Sequence, residues 1–337
     1  MPNLKDVARL AGVSIATVSR VLNGAKNVNP ETRLKVEQAV QQLNFQPNRV
    51  ARRLRAKRVQ SNLIGVLIPD IQNPFYVEVV HGIDLATTEM SYAFLMSNFS
   101  QSEEKERFYL DIMLSESVDG LIVAPAHEED AKVKAIVKSG LPVVCIDRVL
   151  RGVNVDAVVV NNRQGAYDAI QYLVQLGHRR IAFICGPLKI PTYRERLNGY
   201  REALEENGIA YDEALVRFCD STLEAGKRIA RELLELSPPP TALFTGNNLL
   251  TLGALEVLHR QNMRIPRDIS ILGFDDMYWS ISLNPPLTAV SQPGFEIGRR
   301  AAEMLFQRIN EPGRPTAQIV LNTRLMVRSS CGAPSGN

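Results

Sequence analysis

Val13-Ser14-Ile15-Ala16-Thr17-Val18-Ser19-Arg20-Val21-Leu22-Asn23 decides the reading of the N-terminal region. Ser14 can cap a helix whose apolar side is Val18, Val21 and Leu22, leaving Ile15, Ala16, Ser19 and Arg20 on its outer side. Just before it, Leu4, Val7, Ala8 and Ala11 recur at helical spacing, Asn3 and Asp6 offer a cap and a first-turn acid, and Gly12 ends the run. Two short helices joined by so tight a turn predict a helix-turn-helix, whose second helix can enter the DNA major groove. Downstream, Pro30 begins a third helix with Leu34, Val36, Val40 and Leu43 as its expected apolar stripe, which Phe45-Gln46-Pro47 interrupts.

A helix pair of this size is also common in ordinary cores, and charge separates the two readings. Residues 1–58 hold twelve lysines and arginines against three acids, a net +9. The whole chain is +3, so the rest carries −6. A small basic module on a mildly acidic body is the footprint of a DNA-binding head.

The run from Leu4 to Leu54 resembles the N-terminal domain of the LacI/GalR family of bacterial transcription regulators. The resemblance rests on Asp6-Val7-Ala8, Ala11-Gly12-Val13-Ser14, Thr17 through Asn23, Val28, Glu31-Thr32-Arg33, Phe45-Gln46-Pro47-Asn48 and Ala51-Arg52-Arg53-Leu54. It implies a hinge helix at about 48–56 that folds on operator DNA, with two such helices in the minor groove and Leu54 wedged into a base step. The other reading of so basic a run is a solvated tether. For the head, Ile15, Ala16 and Arg20 are the expected base readers, Arg20 by bidentate bonding to guanine. Ser14, Thr17, Ser19 and Asn23 are expected mostly at phosphates. Leu4, Asn29, Arg49, Ala51, Arg52 and Arg55 complete the expected DNA-binding set.

At 337 residues the chain suits a small head and a large body. From Asn62 on, apolar strand candidates (63–68, 92–96, 120–123, 143–146, 157–160, 181–185, 242–244, 269–274) alternate with helix candidates (75–90, 103–117, 129–139, 163–177, 194–207, 222–236, 247–262, 295–310). That alternation predicts an α/β body with doubly wound parallel sheets, too long for one sheet. The resemblance implies a two-lobed, periplasmic-binding-protein-like body at 59–337, following the head at 1–58. Three crossings are expected near 161, 291 and 323, giving a first lobe of about 60–161 and 291–323 and a second of about 162–290 and 324–337.

Ligands of such sheets bind at the C-terminal strand ends. There the chain carries Asn73 and Phe75 in a segment resembling the family's NPFY, then Asp147-Arg148, Thr192 and Arg196, Asn247, Asp275, and Gln292. Carboxylates, a guanidinium fork and amides suit vicinal hydroxyls, and Phe75 suits a C–H face, so a carbohydrate effector is expected. Taken singly, each residue could equally be a helix cap or a rim ion pair. Three places depart from the family pattern: Asn161-Asn162, Asn247-Asn248, and Ser221, where some sugar-binding relatives carry an aromatic residue.

The expected partners are double-stranded operator DNA, the effector, and a second copy in a homodimer; helix 75–90 and segment 278–286 are candidate dimer surfaces. No leucine heptads occur at 329–337 to suggest a tetramer. The chain is expected to be cytoplasmic, without signal peptide or membrane span. Cys145, Cys185, Cys219 and Cys331 show no metal-ligand spacing, and no metal or cofactor is expected. No nucleophile elbow, phosphate loop or dinucleotide fingerprint occurs, so an enzyme is not expected. The reading is a repressor under allosteric control by a sugar; the alternatives are a corepressed or nucleobase-responsive regulator, or a solute-binding protein.

Overall fold

A computed structural model describes residues 2–22, 25, 27–45 and 60–335. The chain divides into two compact units, Met1–Ser61 and Asn62–Asn337. The expected DNA-binding residues Asn23, Arg49, Ala51, Arg52, Leu54 and Arg55, and the whole anticipated hinge helix at 48–56, lie outside the described residues.

In the head, α1 (Leu4–Ala11) begins at Asn3, whose Oδ1 accepts from the Lys5 and Asp6 amides. Gly12 ends it at φ +65°, where a side chain would be strained although the space is open. Helix α2 (Ile15–Leu22) follows, with the Thr17 amide donating to Ser14 Oγ at 3.1 Å. Asn29 caps α3 (Pro30–Gln42). Val7, Ala8, Ala11, Val18, Val21, Val36, Ala39 and Phe45 form the core. Leu34 departs from expectation: it is 55% exposed. Val36, Ala39, Val40 and Leu43 share one helical face, whereas Leu34, two positions before Val36, projects from the other side.

The body holds two sheets of the same winding. The first lobe contains β1 (Leu63–Ile68), β2 (Ala93–Asn98), β3 (Gly120–Val123), β4 (Val143–Ile146), β5 (Asp156–Val160) and β11 (Gln318–Leu321), in the order β2-β1-β3-β4-β5-β11, all parallel. The second contains β6 (Ile181–Cys185), β7 (Val216–Phe218), β8 (Ala242–Thr245), β9 (Ser270–Phe274), β10 (Thr288–Ser291) and β12 (Arg324–Met326), in the order β7-β6-β8-β9-β10-β12. Here the expectation of a wholly parallel sheet needs correction, because β12 runs antiparallel to β10. Only two residues separate β11 from β12, so the chain enters the second sheet along its edge in reverse.

Helices cover both faces of each sheet, which is why β1, β3, β4, β5, β6, β8 and β9 are buried along their whole length. Helices α4 (Pro74–Glu89) and α11 (Gly294–Asn310) pack on one face of the first sheet, α5 (Glu103–Ser115) and α6 (Ala131–Lys138) on the other. In the second lobe α7 (Asn162–Gln175) and α8 (Pro191–Glu206) take one face, α9 (Leu223–Leu234) and α10 (Asn248–Arg260) the other. The chain passes between lobes after β5, after β10 and between β11 and β12. α4 and α11 meet so closely that a Cβ on Gly298 would lie 1.8 Å from the Val79 carbonyl oxygen.

Candidate functional site

The strand ends converge on an interlobe cleft, the place where ligands of open α/β sheets bind. All nine residues anticipated there line it: Asn73, Phe75, Asp147, Arg148, Thr192, Arg196, Asn247, Asp275 and Gln292. Asp70, Tyr76, Gln101, Tyr193 and Ser221 line it too, and were not anticipated as contacts. Their signal was weak: each follows a strand, but so does every loop on that side of the sheets.

Asp147 follows β4 directly and is buried. Its Oδ2 accepts from the Tyr76 hydroxyl at 2.8 Å and lies 3.3 Å from Arg148 Nε. Burial and that neighbouring carboxylate push the Tyr76 hydroxyl well above its usual range. Arg148 is held from behind: Nη1 donates to the Pro125 and Ala126 carbonyls at 3.0 and 3.1 Å, and Nη2 to Gln101 Oε1 at 3.2 Å.

On the second lobe, Arg196 lies over the Phe274 ring, 3.7 Å from its centroid. Its Nε donates to Asn162 Oδ1 at 2.8 Å and its Nη1 to the Gly246 carbonyl, so the fork is fixed and its remaining edge lines the cleft. Asp275 follows β9 directly, and its Oδ1 accepts from Gln292 Nε2. Burial pushes this carboxyl up, as does the charge of Asp147 more weakly, while Arg196 and Gln292 pull it down. Gln292 Oε1 is buried without a hydrogen-bond partner among the described residues. Tyr193 and Ser221 hydroxyls bond at 2.6 Å. Where an aromatic face was expected to be missing, the wall is a hydroxyl pair.

Two anticipated residues also act as helix caps. Asn73 Oδ1 accepts from the Phe75 amide at the start of α4, and Asn247 Oδ1 from the Leu250 amide at the start of α10. Asn73 Oδ1 also accepts from Asn248 Nδ2 across the lobes at 2.7 Å, a strap that sequence reasoning missed. A second interlobe link joins Arg194 Nη2 to Glu128 Oε2 at 2.6 Å. Among the described residues no His, Cys, Asp and Glu cluster could hold a metal ion, and no helix is long and apolar enough to cross a membrane.

In the head, Ser14, Ile15, Ala16 and Arg20 are exposed along one side of α2, with Thr17 and Ser19 half-buried beside them. Asn29 is exposed and caps α3; Leu4 is half-buried against the core.

A helix-turn-helix head carried on a two-lobed body with a polar interlobe cleft defines a DNA-binding regulator with a small-molecule sensing domain. Comparison with known proteins agrees: residues 61–328 match the family described as periplasmic binding proteins and sugar binding domain of LacI family, and residues 3–48 match bacterial regulatory proteins, lacI family. The chain belongs to the LacI family of bacterial transcriptional regulators. It is 36% identical to catabolite control protein A of Priestia megaterium, over 96% of this chain and 98% of that one. A solved complex of the transcriptional regulator CelR with cellobiose is 35% identical, with a TM-score of 0.73 over 98% of this chain and 100% of that one. The lac repressor dimer bound to operator and the anti-inducer ONPF is 30% identical, with a TM-score of 0.87 over 98% and 99% of the two chains.

Proposed function

We propose that the protein is a repressor that binds a pseudo-palindromic operator as a homodimer in the cytoplasm and is controlled by a sugar in the interlobe cleft. The observation that carries this reading is the cleft itself. It presents a carboxylate from each lobe, a guanidinium fixed on an aromatic ring, and Phe75 as an apolar wall. That combination matches hydroxyls with acceptors and donors and covers a C–H face. The cellobiose bound to CelR supports a carbohydrate.

In this reading Ile15, Ala16 and Arg20 read bases, while Ser14, Thr17, Ser19, Leu4 and Asn29 fit the head to the backbone. Arg49, Ala51, Arg52, Leu54 and Arg55 form the hinge that folds on DNA, and Asn23 contacts phosphate. The operator-bound lac repressor dimer supports the two-headed arrangement. Exposed Val77 and Leu85 on α4, with Tyr278 and Ile281 after β9, supply apolar surface for the dimer. Effector binding changes how the lobes close, which sets the spacing of the two hinges.

The experiment is a fluorescence titration of an operator fragment at fixed salt, repeated with a panel of sugars, sugar phosphates and purines. A sugar that changes operator affinity supports the reading. A purine acting alone would move the protein to the nucleobase-responsive class, and a sugar that strengthens binding would make it corepressed.

A further inference from the structure

Behind the cleft, on its first-lobe side, lie two carboxyl groups that do not line it. Glu106, on the inward side of α5, is fully buried. Its Oε1 accepts from the Ala126 amide at 3.0 Å, while its Oε2 is buried with no hydrogen-bond partner among the described residues. The ionisable side chain that acts on it most closely, by contact and by charge, is Asp130, itself 4% exposed. Asp130 Oδ1 is already committed as the cap of α6, accepting from the Val133 amide at 2.8 Å. Two ionised carboxylates would thus face each other with acceptors only, in a place water does not reach. One proton between them turns the contact into a hydrogen bond and gives the orphaned oxygen a role.

The surroundings are consistent with that proton. Burial pushes Glu106 up to about 9, and Asp130 adds to the rise by bonding and by charge. The Ala126 amide and the Arg148 guanidinium act the other way. The Cys145 thiol on β4, buried in the core that α5 and α6 pack against, is pushed up to about 12 by burial, with smaller contributions from Asp130, Asp156 and Glu106. The Asp156 carboxylate is itself bound by Arg308 at 2.9 Å.

Ala126 connects this pair to the cleft. Its amide is held by Glu106, and its carbonyl accepts from Arg148 Nη1. Arg148 in turn touches Asp147 and Gln101 at the cleft wall. Two residues further on, Glu128 carries the interlobe bond to Arg194.

We infer that Glu106 and Asp130 share one proton at neutral pH, and that the shared proton makes Glu106 a positioning residue for the 124–130 loop and, through it, for Arg148. The connection to effector binding rests on the cleft reading above; the shared proton does not.

The test uses the full chain without effector. The infrared spectrum at pH 7 is expected to show a protonated-carboxyl C=O band that Glu106→Gln removes. Amide hydrogen exchange in 124–130 should stay within about twofold of wild type in Glu106→Gln, which keeps a donor toward Asp130, and rise about tenfold in Glu106→Leu, the equivalent of one lost hydrogen bond. The melting temperature of Glu106→Gln minus that of wild type should grow from pH 5 to pH 9. The sign follows because an unfolded glutamate ionises near its ordinary value while the folded one keeps its proton, so wild type loses stability across that window. A missing band, or a Gln variant as loose as Leu, would overturn the inference. Should Glu106→Leu not fold, the spectrum and the Gln variant decide alone. If no sugar shifts operator affinity, the cleft reading fails while these results stand; if the band is missing, the cleft reading stands.

Discussion

Asp147 and Asp275 occupy the same position in the two lobes: each is the first residue after the fourth strand of its lobe, and each is held at positive φ, +62° and +76°. The winding of the two sheets is the same, so the two carboxylates reach the cleft from opposite walls. Asp is among the few residues that tolerate this conformation, and Asn is another. A ligand that donates hydroxyls to both carboxylates therefore ties one lobe to the other.

Asp275→Asn keeps the backbone tolerance and removes the charge, so the fold should survive. Effector affinity should fall about 10- to 100-fold, the loss of one charged hydrogen bond, with effector-free operator affinity unchanged. Calorimetric titration of the sugar found active in the operator assay, beside an operator titration, checks both halves.

His178 predicts an acid-limb effect. Its Nδ1 contacts Thr241 Oγ1 at 2.9 Å and its Nε2 the Gly332 carbonyl at 2.9 Å, pinning the C-terminal segment to the second lobe. Burial lowers its pKa, with the Gly332 bond opposing. The folded state thus favours neutral imidazole: its contribution is complete above the unfolded value of about 6.5 and is lost as pH falls below it. His178→Gln should flatten the decline in melting temperature between pH 6.5 and 4.5. An unchanged slope would remove His178 as its source.

Gly298→Ala should lower stability by about 2 kcal/mol or more in urea, because a Cβ there meets the Val79 carbonyl and forces α4 from α11. Gly12→Ala tests a different cause, since its surroundings are empty and only its φ of +65° resists a side chain. It should destabilise the head by about 1 kcal/mol.

Arg20 lies exposed on the outer side of α2. Arg20→Ala should relax preference at one base pair per half-site by about 1–3 kcal/mol. Ser14→Ala should weaken all sites alike, since Ser14 caps α2 rather than reading a base. Binding selections on randomised half-sites distinguish the two.

The parts legible in the sequence were those with a local cause. The Val- and Ile-rich runs of β1, β4 and β6 announce strands buried on both faces, and Ser14 and Gly12 mark helix ends. The short strands β7, β10, β11 and β12 escaped: none carries an apolar run longer than three residues, and β7, β11 and β12 are also partly exposed. Leu34 breaks the expected stripe because it lies off the buried face of α3, and an apolar side chain alone does not mark burial. The cleft residues could be anticipated from their positions after strands. What could not be read was their mutual support: the Asn248–Asn73 bond spans 175 residues, and the Arg196–Asn162 bond spans 34. The Glu106–Asp130 contact leaves no trace in spacing, since both look like ordinary charges near helix starts.

The most direct test of the account is linkage between cleft and head. Operator affinity would be measured with and without the active sugar, and sugar affinity with and without saturating operator, at one salt concentration. The account predicts the same coupling factor in both, on the order of 5- to 150-fold, and its loss in Asp275→Asn at sugar concentrations that saturate wild type. Sugar binding in the cleft with identical affinity in the presence and absence of operator would contradict it.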